Sequence, residues 1–235
     1  HGGGQDLIFP HHENEIAQSC CAHDGKPFAN VWMHNGFINI EGEKMSKSLG
    51  NFRMVNDLLQ QYPGEVLRYV ILSAHYRSEQ NFSKELLDSA WRSLDTLYGF
   101  LRSQTAVIAA PCDVSDSEAY RALLDDLNTP VAVSELHKLA RQMHGASGAE
   151  QALAKGRLLA VAHLMGLLQQ DPEVWFKGAR GGDTISAEEI EELIAKRNQA
   201  KADRDFQTAD AVRNQLKGLG VTLEDSREGT QWRRD

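Results

Sequence analysis

The sequence predicts a mostly α-helical fold with an α/β start and a small mixed α/β module at its end. Three observations carry that expectation. Residues 1–52 alternate glycine-rich, helical and extended patterns. From residue 53 onward apolar residues follow the 3.6-residue period, as in the stripe Leu86, Leu87, Ala90, Trp91, Leu94, Leu97, Tyr98 and Leu101. Residues 186–235 combine two charged helical stretches with two short extended runs.

His1-Gly2-Gly3-Gly4 begins a glycine-rich loop that runs to Pro10, and a helix is expected from about His11 to Cys21. Val31-Trp32-Met33-His34 and Phe37-Ile38-Asn39-Ile40 flank Asn35-Gly36, a tight-turn signal that predicts a β-hairpin. Glu41-Gly42-Glu43 leads from it into Lys44-Met45-Ser46-Lys47-Ser48. Met54 to Tyr62 and Gly64 to Tyr76 read as amphipathic helices separated by Pro63, and Ser83 to Arg102 as a longer one. Residues 103–117 read as a loop. Asn128-Thr129-Pro130 supplies a cap and a proline in a first helical turn, opening helices at about 130–143 and 148–169. Pro172, Gly178, Gly181 and Gly182 mark a linker. Ser186 and Glu189 fit a capping box for a helix to about Asp203, and a second helix covers about 206–217. Val221-Thr222-Leu223 and Thr230-Gln231-Trp232-Arg233 read as paired strands. The expected division is an α/β unit at 1–52, a helical connector at 53–110, a helical bundle at 111–172, a linker at 173–185 and a C-terminal module at 186–235.

The net charge of −8 disfavours non-specific nucleic-acid binding, which needs clustered Lys and Arg, but leaves room for a local basic strip. No apolar run reaches the ~18–20 residues of a membrane span, so no membrane partner is expected. Three cysteines and no secretory signal predict a reducing cytoplasmic setting. The chain does not begin with Met, and is expected to be a piece that starts inside a functional site.

Two constellations carry chemistry. Lys44 and Lys47 flank a small hydroxylated turn that can fold over a triphosphate, where ammonium groups offset charge developing on an attacked phosphate. The bland alternative, an exposed hairpin loop, fits less well with the whole Lys-Met-Ser-Lys-Ser-Leu-Gly-Asn run. Upstream, His11 and Glu15 stand four residues apart on the expected helix, sharing a face as two zinc ligands could. Their bland reading is an acidic helix N-terminus. His12 is expected to point elsewhere, and His1 sits among glycines that admit a close ligand. In the tail, Lys196, Arg197, Lys201, Arg204 and Arg213 interleave with acidic residues, which reads first as a solvated helix face. Trp232 beside Arg233 could stack on unpaired bases, and Asp210 and Asp225 could accept hydrogen bonds from base amino groups.

These residues closely resemble the cysteinyl-tRNA synthetases, a family of class I aminoacyl-tRNA synthetases. The resemblance rests on His1-Gly2-Gly3-Gly4, Phe9-Pro10-His11-His12-Glu13-Asn14-Glu15, Trp32-Met33-His34, Lys44 to Phe52, Asp126 to Pro130, and the closing Leu223-Glu224-Asp225 with Trp232-Arg233-Arg234. It implies the end of a Rossmann-type catalytic domain in 1–52, a connector that meets the tRNA stem in 53–110, and an anticodon-binding module in 186–235. It implies activation of cysteine by ATP, with Mg2+, to cysteinyl-adenylate and transfer to tRNA(Cys), by a monomer in the cytoplasm. Zn2+ would bind the substrate thiolate, with His11 and Glu15 as two of four ligands and two cysteines from upstream segments. His1 matches a histidine near the bound cysteine, and Lys47 matches the ATP-contacting lysine, with Lys44 in the same loop. Asp210 and Asp225 match anticodon-contacting positions, Lys201 falls where arginine is common, and Phe206 where tryptophan is common. Such a chain is expected to be inactive alone. A cysteine ligase of mycothiol synthesis shares the zinc and lysine-loop segments but needs no anticodon reader, and a non-catalytic tRNA-binding fragment would use only the bundle and tail.

Overall fold

The computed structural model describes residues 1–40, 42–44, 54–178, 185–226 and 229–234. The chain opens with strand β1 (Gly2–Gly4), turns through residues 5–12, and enters helix α1 (Glu13–Ala22). Strand β2 (Met33–Asn35) returns beside β1 in parallel, with Gly3 opposite His34. Strand β3 (Ile38–Ile40) lies in a second sheet, between antiparallel β4 (Glu43–Lys44) and parallel β5 (Gln80–Phe82).

The hairpin expected at Asn35-Gly36 does not form, because β2 and β3 belong to different sheets. A two-residue hairpin turn of this kind needs positive φ at both central residues, and neither Asn35 nor Gly36 has it. Gly36 serves close approach instead. Its N–H donates to Tyr76 O at 2.7 Å, and a Cβ there would lie 2.2 Å from Ser78 O. The pairing of β3 with β5 draws residues 76–80 against this glycine.

Helices α2 (Val55–Leu58), α3 (Gly64–Leu72), α4 (Lys84–Ser103), α5 (Glu118–Leu124), α6 (Thr129–Gly145), α7 (Gly148–Leu164) and α8 (Pro172–Lys177) follow. Their starts are chemically marked. Ser83 accepts from Leu86 N–H, Asn128 from Val131 N–H with Pro130 in the first turn, and Asp171 from Glu173 N–H. Helix α7 stops short of the expected residue 169, since Gly166 and Leu168 take positive φ.

The expected connector and bundle share one core. Val66 and Val70 of α3, Leu94, Leu97 and Tyr98 of α4, Leu136 and Met143 of α6, and Leu158 and Val161 of α7 are fully buried together. Burying such stripes against each other supplies most of the stability of helices this short. Glu65 is buried in that core, accepting from Tyr98 O–H at 2.9 Å and Leu168 N–H at 2.6 Å. Of the linker expected at 173–185, residues 179–184 lie outside the described residues, and its start is helical. Most of α8 occupies its start, where Trp175 stacks on Tyr98 with ring centroids 4.4 Å apart.

The C-terminal module has its own small core. Helices α9 (Ala187–Ala202) and α10 (Phe206–Gly218) pack against strands β6 (Val221–Ser226) and β7 (Gly229–Arg234), which pair antiparallel with Leu223 opposite Trp232. Ile190, Ile194, Val212, Leu216, Val221 and Trp232 fill the space between. The Ser186–Glu189 capping box forms as expected. Among the described residues no helix is long and apolar enough to cross a membrane.

Candidate functional site

The parallel pairing of β1 and β2 places His1 and Trp32 at one end of a small sheet with His34 at its centre, and the turn at 5–12 folds back over it. Gly3 allows that return, since a Cβ there would lie 2.7 Å from Leu7 Cδ1 and 3.2 Å from His12 Cε1. His12 is buried, and its Nδ1 lies 2.8 Å from His34 Nε2. His1 Nε2 lies 2.9 Å from Glu15 Oε2, and the His1 ring contacts His12, Phe28 and Trp32 at centroid separations of 4.6 to 4.9 Å. One ligand atom each from His1, His12 and Glu15 lies within 4.8 Å of the others.

This set shares Glu15 with the expected pair His11 and Glu15. His1 and His12 are the histidines grouped with Glu15, and His11 is exposed one helical turn before it. Within Ile8–His12 only Phe9 departs from helical φ and ψ, at φ −130°, so the chain kinks there and is already helical at His11 and His12 where it enters α1. Two imidazoles and a carboxylate are nitrogen and oxygen donors that suit zinc, and the cluster fits the metal in donor chemistry. Among the described residues no cysteine joins the group. Lys47 lies outside the described residues, as does most of the lysine loop; the backbone of Lys44 pairs in β4 with Asn39.

In the C-terminal module the expected residues separate into three roles. Asp225 and Lys201 come together. Asp225 accepts from both terminal nitrogens of Arg197 at 2.9 and 2.7 Å, from Lys201 Nζ at 2.9 Å and from Thr230 Oγ1 at 2.8 Å. The Arg197 hydrogen bonds, then that of Lys201, hold the Asp225 carboxyl far below the usual carboxylate range. Asp210 is exposed on α10, close enough that its charge also favours the Arg197 cation. Trp232 is a correction. It is 1% exposed, a core residue whose Nε1 donates to Glu191 at 2.7 Å, and cannot stack on a base. Strand alternation turns Trp232 inward and Arg233 to the other face, where Arg233 lies beside Glu224 at the junction with the bundle. The exposed aromatic of the module is Phe206, at the start of α10 with 65% of its surface accessible.

Arg197 was legible only as one more charge in a solvated run. Its spacing from Ile190 and Ile194, seven and three residues on, puts it on the buried stripe of α9 and is the signal that marks it.

Three segments match family models: residues 1–92 match "tRNA synthetases class I (C) catalytic domain", residues 119–169 match "DALR domain", and residues 186–233 match "Cysteinyl-tRNA ligase anticodon binding domain". The chain is 55% identical over 235 residues to a cysteine–tRNA ligase of Saccharophagus degradans, covering all of this chain and 51% of that protein. It is 52% identical to a cysteine–tRNA ligase of Maricaulis maris, covering all of this chain and 50% of that one. The chain thus spans about half the length of the curated relatives it matches. Among solved structures, its fold is similar to a chain of the ternary complex of Agrobacterium radiobacter K84 agnB2 LeuRS-tRNA-LeuAMS, with TM-score 0.57 and 16% identity over 70% of this chain and 25% of that one.

Proposed function

We propose, because the chain belongs to the cysteinyl-tRNA synthetase family, that it serves a cysteine–tRNA ligase as part of its amino-acid site and as its anticodon reader. The observation that carries the reading is the C-terminal module. Its separate core holds Lys201, Asp210 and Asp225 around one buried arginine, with Phe206 exposed at the α9–α10 turn. Cations and carboxylates side by side can discriminate base edges, and an exposed aromatic can stack on an unpaired base. A mycothiol-type cysteine ligase has no use for such a module.

At the other end, His1, His12 and Glu15 form a polar floor walled by Phe28 and Trp32. Glu15 belongs both to this cluster and to the pair His11 and Glu15 that the sequence suggests for zinc. Bound there, zinc would ligate the substrate thiolate and so favour cysteine over serine, whose hydroxyl is a poor ligand. The His12–His34 contact fixes the His12 ring, and the His1–Glu15 pair orients the His1 ring toward the same space. Lys44 and Lys47 would meet the phosphates of ATP and its Mg2+. The reading places the protein in the cytoplasm as a monomer.

The test is binding of the chain to tRNA carrying the cysteine anticodon GCA, beside the same tRNA with an altered anticodon. Tighter binding of the GCA form is expected. Equal binding of the two, by a chain that circular dichroism shows to be helical, would overturn the anticodon reading.

A further inference from the structure

Arg102 stands at the end of α4, deep in the helical bundle's sequence, yet its guanidinium reaches two other elements. Its Nε donates to Glu173 Oε1 at 2.5 Å and one terminal nitrogen to Glu173 Oε2 at 3.2 Å, a bidentate grip on α8. The same terminal nitrogen donates to the carbonyl oxygen of Trp232 at 3.3 Å, and the other lies 3.7 Å from Glu224 Oε2, both on the C-terminal hairpin. The plane also faces the Phe176 ring, 5.1 Å from its centroid. Beside it, Lys177 lies 3.5 Å from both Glu173 and Glu191, and so ties α8 to α9.

We propose that Arg102 is a positioning residue that locks the C-terminal module onto the bundle at a fixed angle, so that one tRNA can engage both. This rests on the anticodon reading above. The accessibilities separate positioning from stability. The Arg102 side chain is 8% exposed, whereas Glu173 and Glu224 are 42% and 49% exposed. If Arg102 is removed, both carboxylates return to water rather than staying buried and unpaired, which confines the loss to the joint. What is lost is the geometry, because only a rigid planar fork with five donors joins a helix carboxylate, a strand carbonyl and a second carboxylate at once. The Trp232 backbone that Arg102 holds carries the side chain that fills the module's core. The grip therefore acts on the module as a rigid body. A ligand bridging two bodies gains affinity from their fixed spacing, and that gain falls when the joint loosens.

The experiment compares wild type with Arg102→Gln, and with Glu173→Gln combined with Glu224→Gln, whose exposed side chains make misfolding an unsuitable explanation. Binding is measured to full tRNA with anticodon GCA, to the same tRNA with an altered anticodon, and to the isolated GCA anticodon stem–loop. Spin labels at E150C and R213C, with Cys20, Cys21 and Cys112 changed to serine, report the distance between bundle and module. Both variants are expected to bind full GCA tRNA roughly tenfold more weakly, to bind the stem–loop as wild type does, and to broaden the distance distribution. Unchanged binding of full tRNA, a parallel loss for the stem–loop, or an unbroadened distance would each overturn the joint. Wild-type protein that binds both anticodons alike would refute the anticodon reading instead, and the distance distribution then decides the joint by itself.

Discussion

Arg197, buried in α9, donates from both terminal guanidinium nitrogens to the two carboxylate oxygens of Asp225 at the end of β6. A residue expected to face RNA is thereby a fixed, internally neutralised acceptor. The pair also ties the hairpin to the helical pair, and Lys201 and Thr230 meet on the same carboxylate.

Arg197→Met removes that tie while keeping the apolar stem. Asp225 keeps Lys201 and Thr230 and is partly solvated, so the expected cost is about 1–3 kcal/mol, the range for charge-assisted hydrogen bonds. It should appear as a lower opening free energy for the α9 and β6 amides in native-state hydrogen exchange, with α4 and α6 amides unchanged. Equal opening energies in variant and wild type would remove the pair from the module's stability.

The two aromatics of the module should trade the roles that the sequence suggests. Trp232→Ala empties a filled core and is expected to destabilise the module by about 3–5 kcal/mol. Phe206→Ala should change stability by less than about 0.5 kcal/mol. The same Phe206 change should weaken binding of GCA tRNA by about 1–3 kcal/mol if the ring stacks on a base. Thermal melts and tRNA titrations of both variants separate the two effects, and full tRNA affinity in Phe206→Ala would leave the ring without a stacking role.

A pH-dependent clamp joins the bundle to the α/β part. Asp126 and Leu127 both have positive φ, a strained arrangement for side chains of this kind. Asp126 accepts from Arg77 Nε at 2.6 Å and Tyr76 O–H at 2.6 Å, and His75 lies 3.9 Å away. The Arg77 hydrogen bond, followed by that of Tyr76, lowers the Asp126 pKa to about 2. A carboxyl lowered on folding stabilises the folded state above its ordinary pKa near 3.8, and that contribution disappears as pH falls through about 2. The melting temperature of wild type should exceed that of Asp126→Asn by a constant margin from pH 5 to 8. The margin should shrink between about pH 4 and pH 2. A margin independent of pH would show that the carboxylate's charge contributes nothing.

Gly36→Ala tests the corrected strand arrangement. The new methyl would meet the Ser78 carbonyl oxygen at 2.2 Å, a backbone atom that cannot rotate away. Overpacking of this kind is expected to cost about 1–3 kcal/mol and to loosen the β3–β5 pairing. Because residues 76–78 also accept from Gln5 and Gly36, the His12–His34 contact should shift with them, visible in the histidine ring resonances. An unperturbed variant would restore the simple hairpin turn.

The longer helices were legible because they bury a continuous apolar stripe, and several open on a capping side chain. Ser83, Asn128 and Ser186 mark starts that local chemistry alone determines. The short helix α5 and strands β1 and β5 were not legible, since three to seven residues carry too little periodicity.

Local sequence was enough for the long helices, for several of their caps and for the C-terminal hairpin, all of which follow from residues close together in the chain. Tertiary structure decided the rest. Gly36 reads as a turn until residues 76–78 arrive against it, and Trp232 reads as a base-stacking surface until strand alternation turns it inward. His1 meets Glu15 because strands β1 and β2 pair and the turn at 5–12 folds back over them. Arg102 and Trp232 meet across 130 positions of the chain. Such partners differ from ordinary surface charges and aromatics only by where the chain brings them, and no local pattern encodes that.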